Sequence, residues 1–147
     1  MATIVRFENS LHRVAVAELW SACFGHGSAR NQPGLVIDKK VAEDDDLFFV
    51  AVGGDGDLIG TAMGGYDGHR GWIYSLAVAS PNRRCGIGRA LIERVEAVLR
   101  DRGCVKINLQ ILEGNRGVVG FYEKLGYTAE PRISMGKTLP ENIPLGD

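Results

Sequence analysis

The chain has 147 residues, 45% of them apolar, with 17 basic residues against 18 acidic for a net charge of −1. That length suits one domain over 1–147, with a core over 3–138 that needs neither disulfides nor metals and a loose tail over 139–147. The charge balance argues against broad nucleic-acid binding, which needs a basic face, and no apolar run approaches the roughly 18 residues of a membrane span.

The opening "MATIVRFENS" lacks the charged start and apolar block of a signal peptide. Cys23, Cys85 and Cys104 show no CxxC spacing. They read as free thiols of a reducing cytoplasm, and no metal site is expected.

In chain order, "TIVRF" (Thr3 to Phe7) reads as a strand. Val16, Leu19, Trp20, Cys23 and Phe24 then recur at helical spacing, with Asn9 or Ser10 as the expected cap. A loop from Gly25 to Gly34 leads to a short helix around Leu35 to Val41. "LFFVAV", "LIGTAMGGY" and "WIYSLAV", separated by the turn signals "GGDGD" and "DGHRG", form an antiparallel meander. A long helix follows, with Ile87, Leu91, Val95 and Val98 as its buried stripe, widened by Ile92 and Leu99 and ended by Gly103. "VKINLQIL" alternates as a strand, with Val105, Ile107, Leu109 and Ile111 on one face. Asn115 is expected to cap a last helix facing inward with Val118, Phe121, Tyr122 and Leu125 and ended by Gly126. Two short strands, near Tyr127 to Ala129 and Ile133 to Thr138, complete the order. The 20 glycines fit a chain rich in tight turns. The class is α+β, a mixed and mostly antiparallel sheet of six to seven strands with helices on both faces.

The junction of the meander with the long helix, "VASPNRRCGIGRAL", carries the chemistry. It is not a Walker loop, since no GxxxxGK[ST] string exists. A dinucleotide fingerprint fails too, because Leu91 stands where a third small residue is needed and the strand belongs to a meander. Arg83, Gly86 and Gly88 instead spell R-x-x-G-x-G after a strand and at a helix start. There, unpartnered backbone N–H groups and the positive end of the dipole can grip a pyrophosphate.

With "NRGVVGFYEKLGY" (Asn115 to Tyr127) further on, the chain resembles the GNAT superfamily of acetyl-CoA-dependent N-acetyltransferases from Thr3 to about Thr138. "GWIYSLAV", "RGCVKINLQI" and "ISMGKTL" make it similar to the small bacterial YpeA-type group. The resemblance implies the GNAT fold, acetyl-CoA as acyl donor, and an N-acetyltransferase acting by direct attack of a primary amine. It also implies that the loop of Arg83, Arg84, Cys85, Gly86, Ile87, Gly88 and Arg89 holds the pyrophosphate, and that Leu76, Ala77 and Val78 pair with the pantetheine arm as an added strand. Asn115 would sit near that arm, and Tyr122 would be the general acid at the thioester sulfur.

The meander's last strand holds no carboxylate to take the amine's proton. Glu113, Tyr74, His69 or a water relay are the candidate routes. "EDDD" (Glu43 to Asp46) is either a solvated loop or a lure for a cationic amine. The acceptor is expected to be a small-molecule or peptide amine, with neither nucleic acid nor membrane as partner and a homodimer as one possible state. The rival reading is a non-catalytic acyl-CoA-binding sensor or regulatory module.

Overall fold

The computed structural model describes residues 2–25 and 27–140. His26, in the expected loop, and residues 141–147 of the expected tail lie outside the described residues. The chain divides into two compact units, Met1–Gln110 and Ile111–Asp147.

The first unit is a five-stranded sheet in sequence order: β1 (Thr3–Arg6), β2 (Phe48–Val52), β3 (Leu58–Tyr66), β4 (Gly71–Val78) and β5 (Ile107–Leu109). The first four strands run antiparallel and β5 joins β4 in parallel. Side chains alternate across the sheet. Phe48, Val50, Met63 and Ala77 face α1 (Asn9–Phe24) and α2 (Pro33–Glu43), and close a core with Val16, Leu19, Trp20 and Ile37. The other face meets α3 (Ile87–Asp101), whose Ile87, Leu91, Ile92, Val95 and Leu99 are buried, whereas Val98, expected in that stripe, is only half-buried because Leu99 takes the inward position in that turn.

That face is floored by glycine. A Cβ on Gly60 would stand 3.0 Å from Leu91 Cδ1, one on Gly64 2.6 Å from Val95 Cγ1, and one on Gly71 2.9 Å from Leu99 Cδ1. Part of the glycine content read as turns therefore serves a helix lying close on the strands.

Helix starts and stops have local causes. The N-cap of α1 is Glu8, one residue before the expected Asn9, and its side chain makes no cap bond. His12 replaces it: Nδ1 accepts the Glu8 N–H at 2.9 Å. The His12 ring also lies 6.0 Å from that of Phe7, a staple between the residue before the cap and the fourth helical position. Asn9 is left to accept from Arg13 at 3.1 Å. At the other end of α3, Gly103 takes φ +87°. Its N–H bonds Arg100 O at 3.0 Å and the Cys104 N–H bonds Leu99 O at 3.1 Å, the paired closure of a Schellman turn.

The second unit holds a 3-10 segment, Glu113–Val118, running into α4 (Val119–Lys124). Asn115 does not cap that helix. It sits inside the 3-10 segment at φ −114°, ψ 39°, and Val118 is the N-cap. The Asn115 N–H is already spent on Leu112 O at 2.8 Å, so the chain turns there before the helix begins. Gly126, at φ +96°, ends α4 with a second Schellman closure, Gly126 N–H to Glu123 O and Tyr127 N–H to Tyr122 O.

The sheet has five strands, not six to seven. No strand forms over Tyr127 to Ala129 or Ile133 to Thr138, and Ile133 and Met135 are both 91% exposed. Alternation offers a face, but a strand also needs a ladder, and among the described residues the sheet ladders do not extend to these segments. β5 is likewise shorter than "VKINLQIL": Val105 is exposed and the ladder covers only Gly71–Ile73 of β4. Among the described residues no helix is long and apolar enough to cross a membrane.

Candidate active site

β4 does not run straight to its end. Met63 pairs with Tyr74 and Thr61 with Ala77, so Ser75 and Leu76 together oppose Ala62. This is a bulge, and its first residue, Ser75, has φ +54°. Left-handed backbone normally goes to glycine, because a Cβ there crowds the following carbonyl. The extra residue puts Tyr74 and Ala77 on the same side of the sheet. It also bends the strand where β5 stops pairing, so among the described residues the outer edge of β4 from Tyr74 to Val78 carries no strand.

The expected cofactor-binding residues of this unit converge just beyond. After Val78, a 3-10 turn (Ser80–Asn82) delivers the chain to Arg83–Gly86 and α3. Arg84 and Gly86 are left-handed, at φ +65° and +81°. Gly86 is the N-cap and supplies no side-chain acceptor, and the first turn of α3 holds no acidic residue. The N–H groups of Ile87, Gly88 and Arg89 precede the first intrahelical acceptor, Gly86 O, which takes the Ala90 N–H at 3.0 Å. A Cβ on Gly86 would meet nothing within 4 Å. Backbone donors at this helix start, with Arg84 and Arg89 beside them, are a donor set that fits a pyrophosphate.

Arg83 ties loop to strand. Its Nε donates to Val78 O at 3.1 Å, and Nη2 approaches Cys23 Sγ at 3.8 Å. Cys85 is exposed, its thiol turned to Arg83 O at 3.6 Å. Arg89 pairs loosely with Glu93 along α3, at 3.7 Å. A groove of about 700 Å³ beside the loop is lined by Cys85, Gly86 and Ile87 but also by Asp55 and Asp57. Two carboxylates make that groove unfit for a polyphosphate.

The proton-handling candidates separate. His69 is exposed in the hairpin turn before Gly71, its N–H bonded to Asp67 Oδ1 at 2.8 Å. Gly71 to Ser75 is already about 13 Å of strand at roughly 3.3 Å per residue, so His69 stands well away from the bulge. Backbone N–H groups of Arg70 and His69 hold the Asp67 carboxyl below its usual range. Tyr74 directly precedes the bulge and is 41% exposed. Its hydroxyl accepts from Lys40 Nζ at 3.1 Å and donates to Gly64 O at 3.3 Å.

Lys40 is buried and pairs with Asp45 at 2.8 Å while also donating to Gly64 O. The "EDDD" run is thus largely engaged: Asp45 serves Lys40, Asp46 pairs with Arg6 at 3.1 Å, and Asp44 takes the left-handed C-cap of α2.

In the second unit, Tyr122 is half-buried, edge-on to Phe121 at 5.0 Å and to Tyr127 at 5.9 Å. Burial pushes its phenol above the ordinary value, so the hydroxyl keeps its proton through the neutral and mildly alkaline range. Glu113 is exposed and opens the 3-10 segment, not the end of a strand, and Asn115 is exposed two residues on.

One buried polar chain escaped the sequence reading. Trp20 Nε1 donates to Thr61 Oγ1 at 2.8 Å, and that hydroxyl donates to Ser75 O at 2.9 Å. Thr61 is fully buried. A threonine inside an alternating strand gives no signal of this in the sequence.

The family model for acetyltransferases of the GNAT family matches residues 13–127. An acetyltransferase of Pectobacterium atrosepticum is 45% identical over 128 residues, 87% of this chain and 89% of that protein. An acetyltransferase of Yersinia enterocolitica is 45% identical over 109 residues, 74% and 77% of the two chains. Among solved structures, glucosamine-6-phosphate N-acetyltransferase from Arabidopsis thaliana superimposes with a TM-score of 0.72 at 23% identity, covering 95% of this chain and 99% of its own. AAC(6′)-Iy, in complex with the bisubstrate analog CoA-S-monomethyl-acetylneamine, gives 0.75 at 16% identity, covering 95% and 99%. These two likenesses are of fold. Together with the family match over most of the sequence and relatives at 45% identity, they carry one conclusion: the chain belongs to the GNAT family of acetyltransferases.

Proposed function

We propose that the protein is an N-acetyltransferase that uses acetyl-CoA as acyl donor and a small-molecule or peptide primary amine as acceptor, by direct attack. One observation carries the reading: the donor cradle of Arg83–Arg89 lies at the end of β4, whose outer edge from Tyr74 to Val78 carries no strand among the described residues. Polar main-chain groups on such an edge suit the amides of a pantetheine arm, and the arginines and helix N–H groups suit its pyrophosphate. Asn115 is assigned to the arm as well. The two units form a single domain in this reading, and the free cysteines accord with a cytoplasmic protein.

In the transfer, the amine forms a bond to the thioester carbon as the carbon–sulfur bond breaks. Main-chain N–H groups near Val78 stabilise the charge developing on the carbonyl oxygen. The departing sulfur takes the Tyr122 proton, which burial keeps in place at neutral pH. For the amine's proton, Tyr74 adjoins the bulge but its hydroxyl is committed to Lys40 and Gly64 O, which leaves Glu113 or a relay of water to bulk solvent as the routes.

Calorimetric titration with acetyl-CoA, with NAD as control, tests the reading. Micromolar binding of acetyl-CoA alone supports it, and absence of binding ends it. Thiol release over a panel of amines then tests transfer. Tyr122→Phe is expected to lower turnover by roughly 10²-fold or more with acetyl-CoA affinity unchanged. Wild-type turnover is expected to fall as pH rises through the raised Tyr122 pKa, above the ordinary value of about 10, because the donor is then lost.

A further inference from the structure

We infer that Trp20 and Thr61 are positioning residues for acyl transfer, acting through the Ser75 bulge; the inference rests on the function proposed above. The bulge takes Ser75 O out of the β3–β4 ladder and asks a non-glycine residue to hold φ +54°. A buried carbonyl without a donor is costly. Here Thr61 Oγ1–H supplies the donor at 2.9 Å, and Trp20 Nε1–H fills the hydroxyl's acceptor side at 2.8 Å.

The hydroxyl can do both jobs in one orientation only. Trp20 can donate but never accept, so the Thr61 proton is directed to Ser75 O. Trp20 is itself fixed by its stack on Phe48, 5.8 Å between ring centroids and 8° from parallel. The relay therefore transmits a rigid core contact to one backbone carbonyl far along the chain from the indole.

That carbonyl decides how β4 continues. With Ser75 left-handed, Leu76 is carried round so that Ala77 returns to the core side, opposite Thr61. If Ser75 leaves that conformation, the bulge re-forms with a different bend and the main-chain groups of Leu76–Val78 are re-aimed. The loop at Arg83–Arg89 lies beyond the bulge and keeps its own helix start. The relay is thus expected to govern the chemical step far more than it governs cofactor affinity.

Variants at Thr61, Ser75 and Trp20 decide this, read by thiol release, calorimetry and thermal melting. Thr61→Val keeps the shape and removes the donor, and Thr61→Ser keeps the donor. Expected for Thr61→Val is a fall in kcat of at least about ten-fold with KM for acetyl-CoA within about three-fold, and for Thr61→Ser near-normal turnover. Ser75→Gly added to Thr61→Val is expected to recover most of the lost kcat, since glycine holds φ > 0 unaided. A merely packing role for Thr61 has no such remedy. Should Thr61→Val not fold, Trp20→Phe carries the same test with the same Ser75→Gly recovery.

Full activity in Thr61→Val, an equal loss in Thr61→Ser, or no recovery with Ser75→Gly overturns the inference while leaving an active wild type untouched. A wild type that neither binds nor turns over acetyl-CoA removes the proposed function, and the inference falls with it.

Discussion

Helix α3 meets glycine in two ways. Along its body, Gly60, Gly64 and Gly71 are needed because there is no room: each added Cβ would stand 2.6–3.0 Å from a side chain of the helix. At its start, Gly86 is needed although there is ample room, since its added Cβ would meet nothing within 4 Å. The first kind of glycine serves the protein's own packing. The second holds a left-handed turn at φ +81° and, in the function proposed above, leaves room for a ligand. Openness alone does not mark a site, because Gly103 and Gly126 are equally open and merely end helices. What distinguishes Gly86 is that it begins one, where backbone donors lack acceptors.

The sharpest way to break this contrast is Gly86→Glu. It places bulk and negative charge in the clear space and is expected to weaken acetyl-CoA binding at least about 100-fold, or about 2.7 kcal/mol, by calorimetry. Normal binding would mean that the space has another use. Gly64→Ala should do the reverse. Its Cβ forces Val95 aside and is expected to cost about 1–3 kcal/mol of stability in denaturant melts, with acetyl-CoA affinity per folded molecule preserved.

The start of α1 is a control for the start of α3, because it is closed by its own chain. His12→Ala removes the acceptor for the Glu8 N–H and the tilted ring contact with Phe7. The expected cost is about 1 kcal/mol, again with no change in acetyl-CoA affinity. The smallest effect is protection of a thiol. Cys85, exposed in the loop, is expected to be alkylated several-fold more slowly with acetyl-CoA bound, read by peptide mass spectrometry, whereas buried Cys104 labels slowly either way. Equal rates at Cys85 would argue that the ligand does not cover the loop.

The parts of this design that announce themselves in the sequence are local. The α3 stripe, the meander with its glycine turns and the R-x-x-G-x-G junction each declare a period or a backbone need within a dozen residues, and the structure forms all three. Pairings across the chain do not declare themselves. Ser75 is an ordinary residue until Thr61 and Trp20 arrive from elsewhere. Lys40 gives no sign in a helical stretch that it will be buried against Asp45 and Tyr74. Ile133 to Thr138 alternates like a strand, yet alternation cannot supply the neighbour a strand requires. Asn115 misleads in a further way: a good capping residue is used earlier, for a turn.

The docking of Arg83 on Val78 O bears on timing. Ordering an arginine side chain costs up to about 2 kcal/mol of rotamer entropy, and here folding meets that cost before any ligand arrives. The Nε bond to Val78 O leaves Nη1 donors uncommitted on a charge whose position is already set. A polyanion approaching the loop meets a fixed target and has no mobile arm to capture. Its association should accordingly be fast in dilute buffer and slow steeply as added salt draws the Debye length in from about 10 Å at 0.1 M to about 3 Å at 1 M.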